Sequence, residues 1–168
     1  KTASTGRLVF DYRKLNEHVK PMHHPLTSVQ NFFDNAANYN LFSIVDLKDA
    51  FTSISMTRRA RKRCGIITPF GVFILQRMPF GLKTSPSSIC RAIDLALSGL
   101  PFVFAYMDDL VICAKTEEEM AQNLKLIFAR LAKFKLKIQL DKIKFFESEI
   151  KILGVIFSTV GKKIDPSK

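Results

Sequence analysis

The sequence predicts an α+β fold, in which an antiparallel β-sheet carries helices on one face. Short apolar stretches rich in Val, Ile, Phe and Tyr recur along the chain, and each is too short for a helix. Longer stretches between them repeat apolar residues at helical spacing. The predicted order is strand, helix, strand, hairpin, helix, strand, strand, helix and further strands, which is typical of an antiparallel α+β architecture.

Composition narrows the class of protein. The 168-residue chain suffices for one domain, or part of one, with a sizeable core. Its net charge of +11 predicts a polyanionic partner, nucleic acid rather than a membrane surface, and an ordinary basic protein is the alternative. Without a signal-peptide core or a membrane-length apolar run, we expect an intracellular protein that begins, at Lys1, inside a longer polyprotein. The cysteines lack metal-ligand spacing and indicate free thiols: Cys64, Cys90 and Cys113.

The first part of the chain contains two predicted strands and one helix. Residues 7–13 (RLVFDYR) alternate as strand residues do, and an irregular connector with two prolines follows. Thr27 or Ser28 is expected to cap the helix. The inner face of this helix repeats apolar residues at helical spacing: Val29, Phe32, Phe33 and Ala36. Residues 41–47 (LFSIVDL) then form a short, mostly apolar strand.

The middle of the chain combines charge, a hairpin and a second helix. A tight turn at residues 48–51 precedes a basic run, residues 57–63 (TRRARKR). Such a run is usually a solvated face, but beside a nucleic-acid cleft it would bind phosphate. Residues 65–78 read as a hairpin with PFG at the turn, and Ser85 caps the helix that follows. The inner face of that helix is predicted to contain Ile89, Ile93 and Ala96 or Leu97.

The stretch from Phe102 to Ala114 (FVFAYMDDLVICA) places two adjacent carboxylates, Asp108 and Asp109, between two apolar runs. Each run suits a buried strand, so the acids lie at or beside the tip of a tight hairpin. That tip lacks the Asn-Gly or Asp-Gly pair that two-residue hairpins prefer. Because adjacent carboxylates repel each other and cost desolvation energy, bound cations would stabilise them. A metal site is therefore one interpretation, and a solvated acidic turn is the other.

The last part of the chain begins with a capping box, Thr116 with Glu119. The helix that follows is amphipathic, with one face formed by Met120, Leu124, Ile127, Leu131 and Phe134. A strand is predicted at residues 136–140, a turn at residues 141–144 and a longer strand at residues 149–157. Gly161 to Ile164 can add a short final strand.

Asp46 lies at the end of an apolar strand, as Asp108 does. An acid in that position either reaches water or needs a partner. If the strands of Asp46 and Asp108 are neighbours, three carboxylates including Asp109 meet at one spot. Carboxylate oxygens suit Mg²⁺, and a pair of such ions can activate a hydroxyl and stabilise a leaving pyrophosphate.

Six sequence blocks follow one another along the chain: RLVFDYRKLN, FSIVDLKDAF, RMPFGLKTSP, FAYMDDLVI, QLDKIKF and ILGVIFS. Together they resemble the reverse transcriptase family of RNA-directed DNA polymerases, the gypsy-type retrotransposon enzymes most and the retroviral enzymes next. YMDD alone is a weak signal, but the ordered set covers almost the whole chain. The resemblance implies a right-hand polymerase, with fingers at about residues 1–22 and 52–79, palm at about 23–51 and 80–168, and no thumb in this segment.

The resemblance also implies the contents of the active site. Asp46 and Asp108 resemble the two metal-bridging carboxylates of the family, Asp109 the neighbouring third acid, and the carbonyl of Leu47 an extra ligand. Two Mg²⁺ ions, with Mn²⁺ as a substitute, would be the cofactors. The partners would be dNTPs, a primer on an RNA or DNA template, and RNase H and integrase regions of the same polyprotein, in the cytoplasm or in virus-like particles. The implied primer and template contacts are Tyr106, Met107 and Gly154.

The incoming nucleotide has its own set of implied contacts. Arg7 resembles the fingers arginine that holds the triphosphate, and the amides of Asp49 and Ala50 would face the same phosphates. Phe51 resembles the aromatic "steric gate" that excludes a ribose 2′-hydroxyl, and an ordinary core Phe is the alternative. The loop Phe80-Gly81 matches the one below the nascent base pair, although many retroviral enzymes have Gln in place of Phe.

Lys142 resembles a motif lysine that protonates the leaving pyrophosphate. The Cys that usually follows it is Ile143 here, and Lys144 is an alternative donor. Two other functions remain open. A viral RNA-dependent RNA polymerase shares the paired acids, but Phe51 favours dNTPs. A decayed or domesticated element fragment would bind nucleic acid with weak or no catalysis.

Overall fold

The computed structural model of the chain describes residues 10–25, 29–152, 155–158 and 161–164. These residues form helices and antiparallel strands in two compact units. The first unit comprises the described parts of Lys1–His24 and Asp49–Ile89, and the second those of Pro25–Lys48 and Cys90–Lys168. No helix in the described ranges is both long and apolar enough to cross a membrane.

The bounds of the described elements largely follow the predicted order. The helices are α1 (Arg13–Glu17), α2 (Val29–Ala36), α3 (Ala50–Ser53), α4 (Arg58–Arg63), α5 (Ser85–Leu97) and α6 (Glu117–Lys133). The strands are β1 (Leu41–Lys48), β2 (Gly65–Thr68), β3 (Gly71–Ile74), β4 (Val103–Tyr106), β5 (Asp109–Ala114), β6 (Lys137–Ile138), β7 (Lys144–Glu147), β8 (Glu149–Ile152), β9 (Val155–Ser158) and β10 (Gly161–Ile164). A short 3₁₀ helix occupies Leu140–Lys142.

Strand β1 is the centre of the main sheet in the second unit. The sheet has the order β4-β5-β1-β6, and β7 also pairs with β1. The pairing of β1 with β5 is antiparallel and continuous, from Leu41 opposite Ala114 to Asp46 opposite Asp109. Because β1 and β5 both consist mainly of buried apolar residues, their alignment also fixes which charged residues meet at the strand ends.

One face of this sheet packs against α2 and the sheet β10-β9-β8. Phe32 and Phe33 of α2 contact Phe157 of β9, with ring centroids 6.2 and 5.4 Å apart. Phe42 of β1 meets the same ring edge-on at 5.5 Å. Each such buried aromatic contributes roughly 1.5–3 kcal/mol through removal of apolar surface from water. The other buried members of this cluster are Ala36, Val111, Cys113 and Ile150.

Helix α6 begins with the predicted capping box. The Thr116 side-chain oxygen accepts a hydrogen bond from the Glu119 amide at 3.2 Å, and the Glu119 carboxylate accepts one from the Lys115 amide at 2.8 Å. Its predicted inner face is buried at Met120, Leu124, Ile127 and Leu131. Phe134 was expected on the same face, but it follows the last helical residue and is 42% exposed.

Thr116→Ala should destabilise the protein by about 1 kcal/mol, because the Glu119 amide would lose its side-chain acceptor at the helix start. Thr116→Ser keeps the hydroxyl and serves as the matched control. Urea unfolding of the two variants measures the difference. Equal unfolding midpoints for Ala and Ser at this position would show that the cap does not contribute to stability.

Two predicted strands are wrong in their described parts. Within residues 7–13, residues 10–12 have no regular structure and Arg13 begins α1, while the remainder lies outside the described residues. The Asp11 carboxylate accepts a hydrogen bond from the Arg13 amide at 3.0 Å, a local contact that competes with strand pairing. The described residues of the predicted strand at 149–157 belong to two antiparallel strands, β8 and β9, with Ile152 opposite Val155.

The predicted caps of α2 and α5 have different outcomes. Thr27 and Ser28 lie outside the described residues. Ser85 is the first residue of α5, and its hydroxyl donates to the Pro79 carbonyl at 3.1 Å instead of capping. The Thr84 carbonyl accepts the Ser88 amide, so the helix effectively starts one residue earlier than predicted. The predicted inner face of α5 is buried: Ile89, Ile93, Ala96 and Leu97.

Candidate active site

The acidic hairpin has a two-residue turn. Tyr106 of β4 lies opposite Asp109 of β5, so Met107 and Asp108 form the loop between them. Met107 has a φ of 55°, in the left-handed region that two-residue hairpins usually reserve for Gly, Asn or Asp. Holding a non-glycine residue there costs on the order of 1 kcal/mol. The prediction of a tight hairpin with the acids at its tip is confirmed, and its unfavourable turn chemistry points to function.

Asp46 reaches the same end of the sheet through β1. Asp46 lies directly opposite Asp109, and the next residue, Leu47, donates its amide hydrogen to the Asp108 carbonyl at 2.9 Å. The Asp46 side chain is only 19% exposed. The strands of Asp46 and Asp109 are therefore neighbours, as the sequence hypothesis required.

Lys142 provides positive charge at this acidic corner. Its Nζ lies 2.7 Å from Asp46 Oδ2. The hydrogen bond to Asp46 raises the pKa of Lys142, and the negative charges of Asp46, Asp109 and Asp108 add to that effect. The backbone holds the same segment in place, because the Gln139 amide donates to the Asp46 carbonyl at 2.8 Å. Lys144, the alternative candidate, lies in β7, where it pairs with Ile44.

The carboxylates repel one another in this arrangement. Partial burial raises the pKa of Asp109, the charge of Asp46 raises it further, and Lys142 lowers it. A divalent cation would relieve that repulsion, and carboxylate oxygens are the ligands that Mg²⁺ prefers. The residues therefore fit a divalent cation in their chemistry. In the described part of the chain, however, no three His, Cys, Asp or Glu side chains already stand close enough together to hold a metal ion.

A second group of predicted residues lies in the first unit. Asp49 precedes α3 with a φ of 51°, so the glycine-free turn predicted after β1 does use left-handed backbone. Ala50 is buried at the start of α3. The ring of Phe51 packs against Phe80 at a centroid distance of 5.2 Å. Phe51 is half-buried.

The loop that carries Phe80 is held by Asn16 of α1. The Asn16 amide group donates to the Gly81 carbonyl and its oxygen accepts from the Lys83 amide, both at 2.8 Å. Gly81 has a φ of 90°, and a Cβ there would lie 3.2 Å from the Phe10 carbonyl. Both facts require glycine at this position. The role of Asn16 could not be predicted from the sequence, because only folding brings Asn16 to a loop 65 residues away.

The remaining predicted site residues divide into two sets. Tyr106 is half-buried at the end of β4, and Met107 is 53% exposed at the hairpin tip. Arg7 and Gly154 lie outside the described residues.

Comparison with solved structures defines the fold class first. The chain superposes on the foamy viral protease-reverse transcriptase in complex with double-stranded DNA, with a TM-score of 0.87 at 21% identity, over 96% of this chain and 28% of that one. The foamy viral protease-reverse transcriptase in complex with an RNA/DNA hybrid gives a TM-score of 0.85 at 21% identity, over 96% of this chain and 22% of that one. The fold is thus a mixed helix and antiparallel-sheet fold similar to that of these reverse transcriptases.

Sequence comparison then identifies the family. The model of the family "Reverse transcriptase (RNA-dependent DNA polymerase)" matches residues 1–157. The chain is 32% identical to the retrovirus-related Pol polyprotein from transposon 297 of Drosophila melanogaster, over 99% of this chain and 16% of that polyprotein. It is 29% identical to the Pol polyprotein from transposon gypsy of the same organism, over 96% of this chain and 16% of that polyprotein. The chain belongs to the reverse transcriptase family and spans about a sixth of these relatives.

Proposed function

We propose that the chain is the catalytic fingers and palm part of a retrotransposon RNA-directed DNA polymerase. In this reaction the 3′-hydroxyl of a primer attacks the α-phosphate of a template-selected dNTP and releases pyrophosphate. The alignment of Asp46 opposite Asp109, with Asp108 in the adjoining loop, carries the proposal. The division of the chain into two compact units supports fingers in the first and palm in the second.

Asp46, Asp108, Asp109 and the Leu47 carbonyl would hold two Mg²⁺ ions, or Mn²⁺ in their place. When bound, these ions would lower the pKa of the primer hydroxyl and neutralise charge on the phosphates. The hydrogen bond between the Leu47 amide and the Asp108 carbonyl keeps the hairpin loop beside β1. The backbone segments that carry the carboxylates are thereby held side by side before substrate arrives, and positioning of charged groups supplies most of the catalysis in phosphoryl transfer.

Lys142 would donate a proton to the leaving pyrophosphate. A lysine ammonium is protonated at neutral pH, and the neighbouring Asp46 carboxylate raises the pKa of Lys142 further, so a proton is present to give. Its hydrogen bond to Asp46 holds it at the acidic corner. The short 3₁₀ helix that carries it is fixed to β1 through Gln139.

Contacts to the nucleotide would come from the first unit. Arg7 and the amides of Asp49 and Ala50 would bind the triphosphate, and the exposed part of Phe51 would lie against the sugar. Phe80 supports the Phe51 ring, and Gly81 allows the loop its left-handed turn. Tyr106, Met107 and Gly154 would contact the primer and template, and RNase H and integrase regions of the same polyprotein would be partners.

The test is dNTP incorporation on a primed RNA template by the polyprotein product that carries this chain. We expect incorporation with Mg²⁺, complete loss on chelation with EDTA, and recovery when Mg²⁺ is restored, because the carboxylates alone repel both each other and the phosphates. Equal extension in excess EDTA would contradict the metal assignment. A folded protein that binds primer-template but incorporates nothing with Mg²⁺ or Mn²⁺ would favour the alternative of a nucleic-acid-binding fragment without catalysis.

A further inference from the structure

Arg77 links the end of α3 to the segment that leads into the loop of Phe80. Its Nη1 atom donates to the Ser53 carbonyl and to the Ser55 hydroxyl, both at 2.8 Å. Ser53 is the last residue of α3, the same short helix that carries Phe51. The sequence RMPF runs from Arg77 to Phe80. One guanidinium therefore connects the two segments whose rings pack against each other with centroids 5.2 Å apart.

Helix α3 cannot hold the Phe51 ring in place by itself. It comprises four residues, and a helix this short is not stable in isolation, because nucleation costs more than its few hydrogen bonds return. The left-handed backbone at Asp49, where α3 begins, adds to that cost. The carbonyls at a helix end lack partners within the helix, and the Arg77 guanidinium supplies one for Ser53. The position of α3 therefore depends on tertiary contacts, and Arg77 makes such a contact with the helix itself.

The surroundings of Arg77 are fixed by other bonds. The Met78 amide donates to the Ile54 carbonyl at 3.0 Å, which pairs the backbone beside Arg77 with the segment after α3. The loop beyond Phe80 is held by Asn16 through two further hydrogen bonds. Removal of the Arg77 side chain should therefore leave the backbone pairing and the Phe80 loop in place and loosen mainly the end of α3.

We propose that Arg77 is a positioning residue, which holds α3 so that the Phe51 ring stays against Phe80 and selects the sugar of the incoming nucleotide. The selection of the sugar rests on the proposed function, in which Phe51 excludes a ribose 2′-hydroxyl. The competing interpretation is that Arg77, an exposed cation in a chain of net charge +11, contacts phosphate. A phosphate contact would contribute equally to the use of dNTPs and rNTPs, since both carry the same triphosphate, whereas displacement of Phe51 changes their ratio.

The first test measures the ratio of kcat/KM for dTTP and UTP in the polyprotein product that carries this chain. Arg77→Met keeps an apolar stem without a donor, and it should lower the preference for dTTP by roughly 2-fold to 10-fold, the range for one or two lost hydrogen bonds. Arg130→Met on α6 is the matched control, because the Arg130 guanidinium also donates to a backbone carbonyl, that of Ser98 at 3.4 Å. A smaller fraction of folded enzyme would cancel from the ratio. An unchanged ratio in Arg77→Met would overturn the proposal.

A double-mutant cycle tests whether Arg77 acts through Phe51. In protein that already carries Phe51→Ala, the addition of Arg77→Met should cause no further fall in the preference for dTTP, because the ring that Arg77 positions is absent. A further fall as large as that in the unmodified protein would show that the two residues act independently, and the positioning role would then be wrong.

A fluorescence measurement follows the position of the ring without nucleotide or metal. The 168-residue chain has no Trp, so Phe51→Trp introduces a single fluorophore at the position of interest. The addition of Arg77→Met should lower the fluorescence anisotropy of this Trp, because the end of α3 becomes more mobile, and the addition of Arg130→Met should not. Circular dichroism checks that each variant is folded.

The fluorescence separates this proposal from the polymerase assignment. An anisotropy that Arg77→Met leaves unchanged would overturn the positioning role, whether or not the protein polymerises. A lowered anisotropy, together with no dNTP incorporation by the unmodified polyprotein product, would support the positioning role and count against the polymerase alone.

Discussion

Asp108→Asn is expected to lower primer extension by at least about 1,000-fold while primer-template binding persists. The substitution keeps the size of the side chain and removes its negative charge, and positioned charge supplies nearly all catalysis in phosphoryl transfer. The backbone hydrogen bond between Asp108 and Leu47 does not involve the side chain, so the hairpin should keep its geometry. Single-turnover extension in the polyprotein product measures the chemical step separately from binding.

The control for Asp108→Asn is Glu117→Gln, an equal loss of charge at an exposed position in the first turn of α6. It should extend primers at close to the unmodified rate. If Asp108→Asn also extends primers at that rate, Asp108 is not a metal ligand for the reaction. If instead the variant loses binding together with extension, the carboxylate acts on substrate affinity, and the two-metal assignment loses its main support.

Phe51→Ala is expected to remove most of the discrimination between dNTPs and rNTPs. The Phe51 and Phe80 rings pack with their centroids 5.2 Å apart, and this contact limits how far the Phe51 side chain can turn. Truncation would leave room for a 2′-hydroxyl, and we expect the preference for dNTP to fall by roughly 10-fold to 200-fold, the range for one group in a specificity pocket. The ratio of kcat/KM for dTTP and UTP measures this change.

Phe51→Tyr is the matched control, because it keeps a ring in the same place and should keep the preference for dNTP. Phe80→Ala removes the ring against which Phe51 packs. It should lower the preference for dNTP by less than Phe51→Ala does. An unchanged sugar preference in Phe51→Ala, with dNTP incorporation intact, would assign Phe51 to the core of the first unit and leave the selection of sugar to other residues.

The sheet that carries Asp46 and Asp109 could be predicted, because its segments suit strands and not helices. Residues 41–47 and the two apolar runs beside Asp108 are too short and too rich in β-branched and aromatic residues for helices. In the structure, two of these strands pair in the register that sets Asp46 against Asp109. From strand length and burial, Asp46 and Asp109 could be placed together only on the condition that their strands were neighbours, and the resemblance to the reverse transcriptase family implied that they were.

Contacts between distant segments could not be predicted in the same way. Lys142 meets Asp46 across 96 residues, and its local sequence gives no sign of the partner. Residues 7–13 alternate like a strand, but a short alternation is weak, and helix-forming residues start α1 at Arg13. Residues 149–157 read as one strand because their apolar pattern hardly breaks, although Gly154 in the middle is also typical of a turn.

The two-residue loop at Met107 and Asp108 also limits how the gene can change. Side chains alternate between the faces of a strand, so one residue gained or lost in that loop would shift the whole of β5 by one place against β1. The side chains of β5 would exchange its two buried faces and lose their present packing, and Asp109 would no longer lie opposite Asp46. Among proteins related to this one by descent, substitutions in the loop should therefore be tolerated far more often than insertions or deletions.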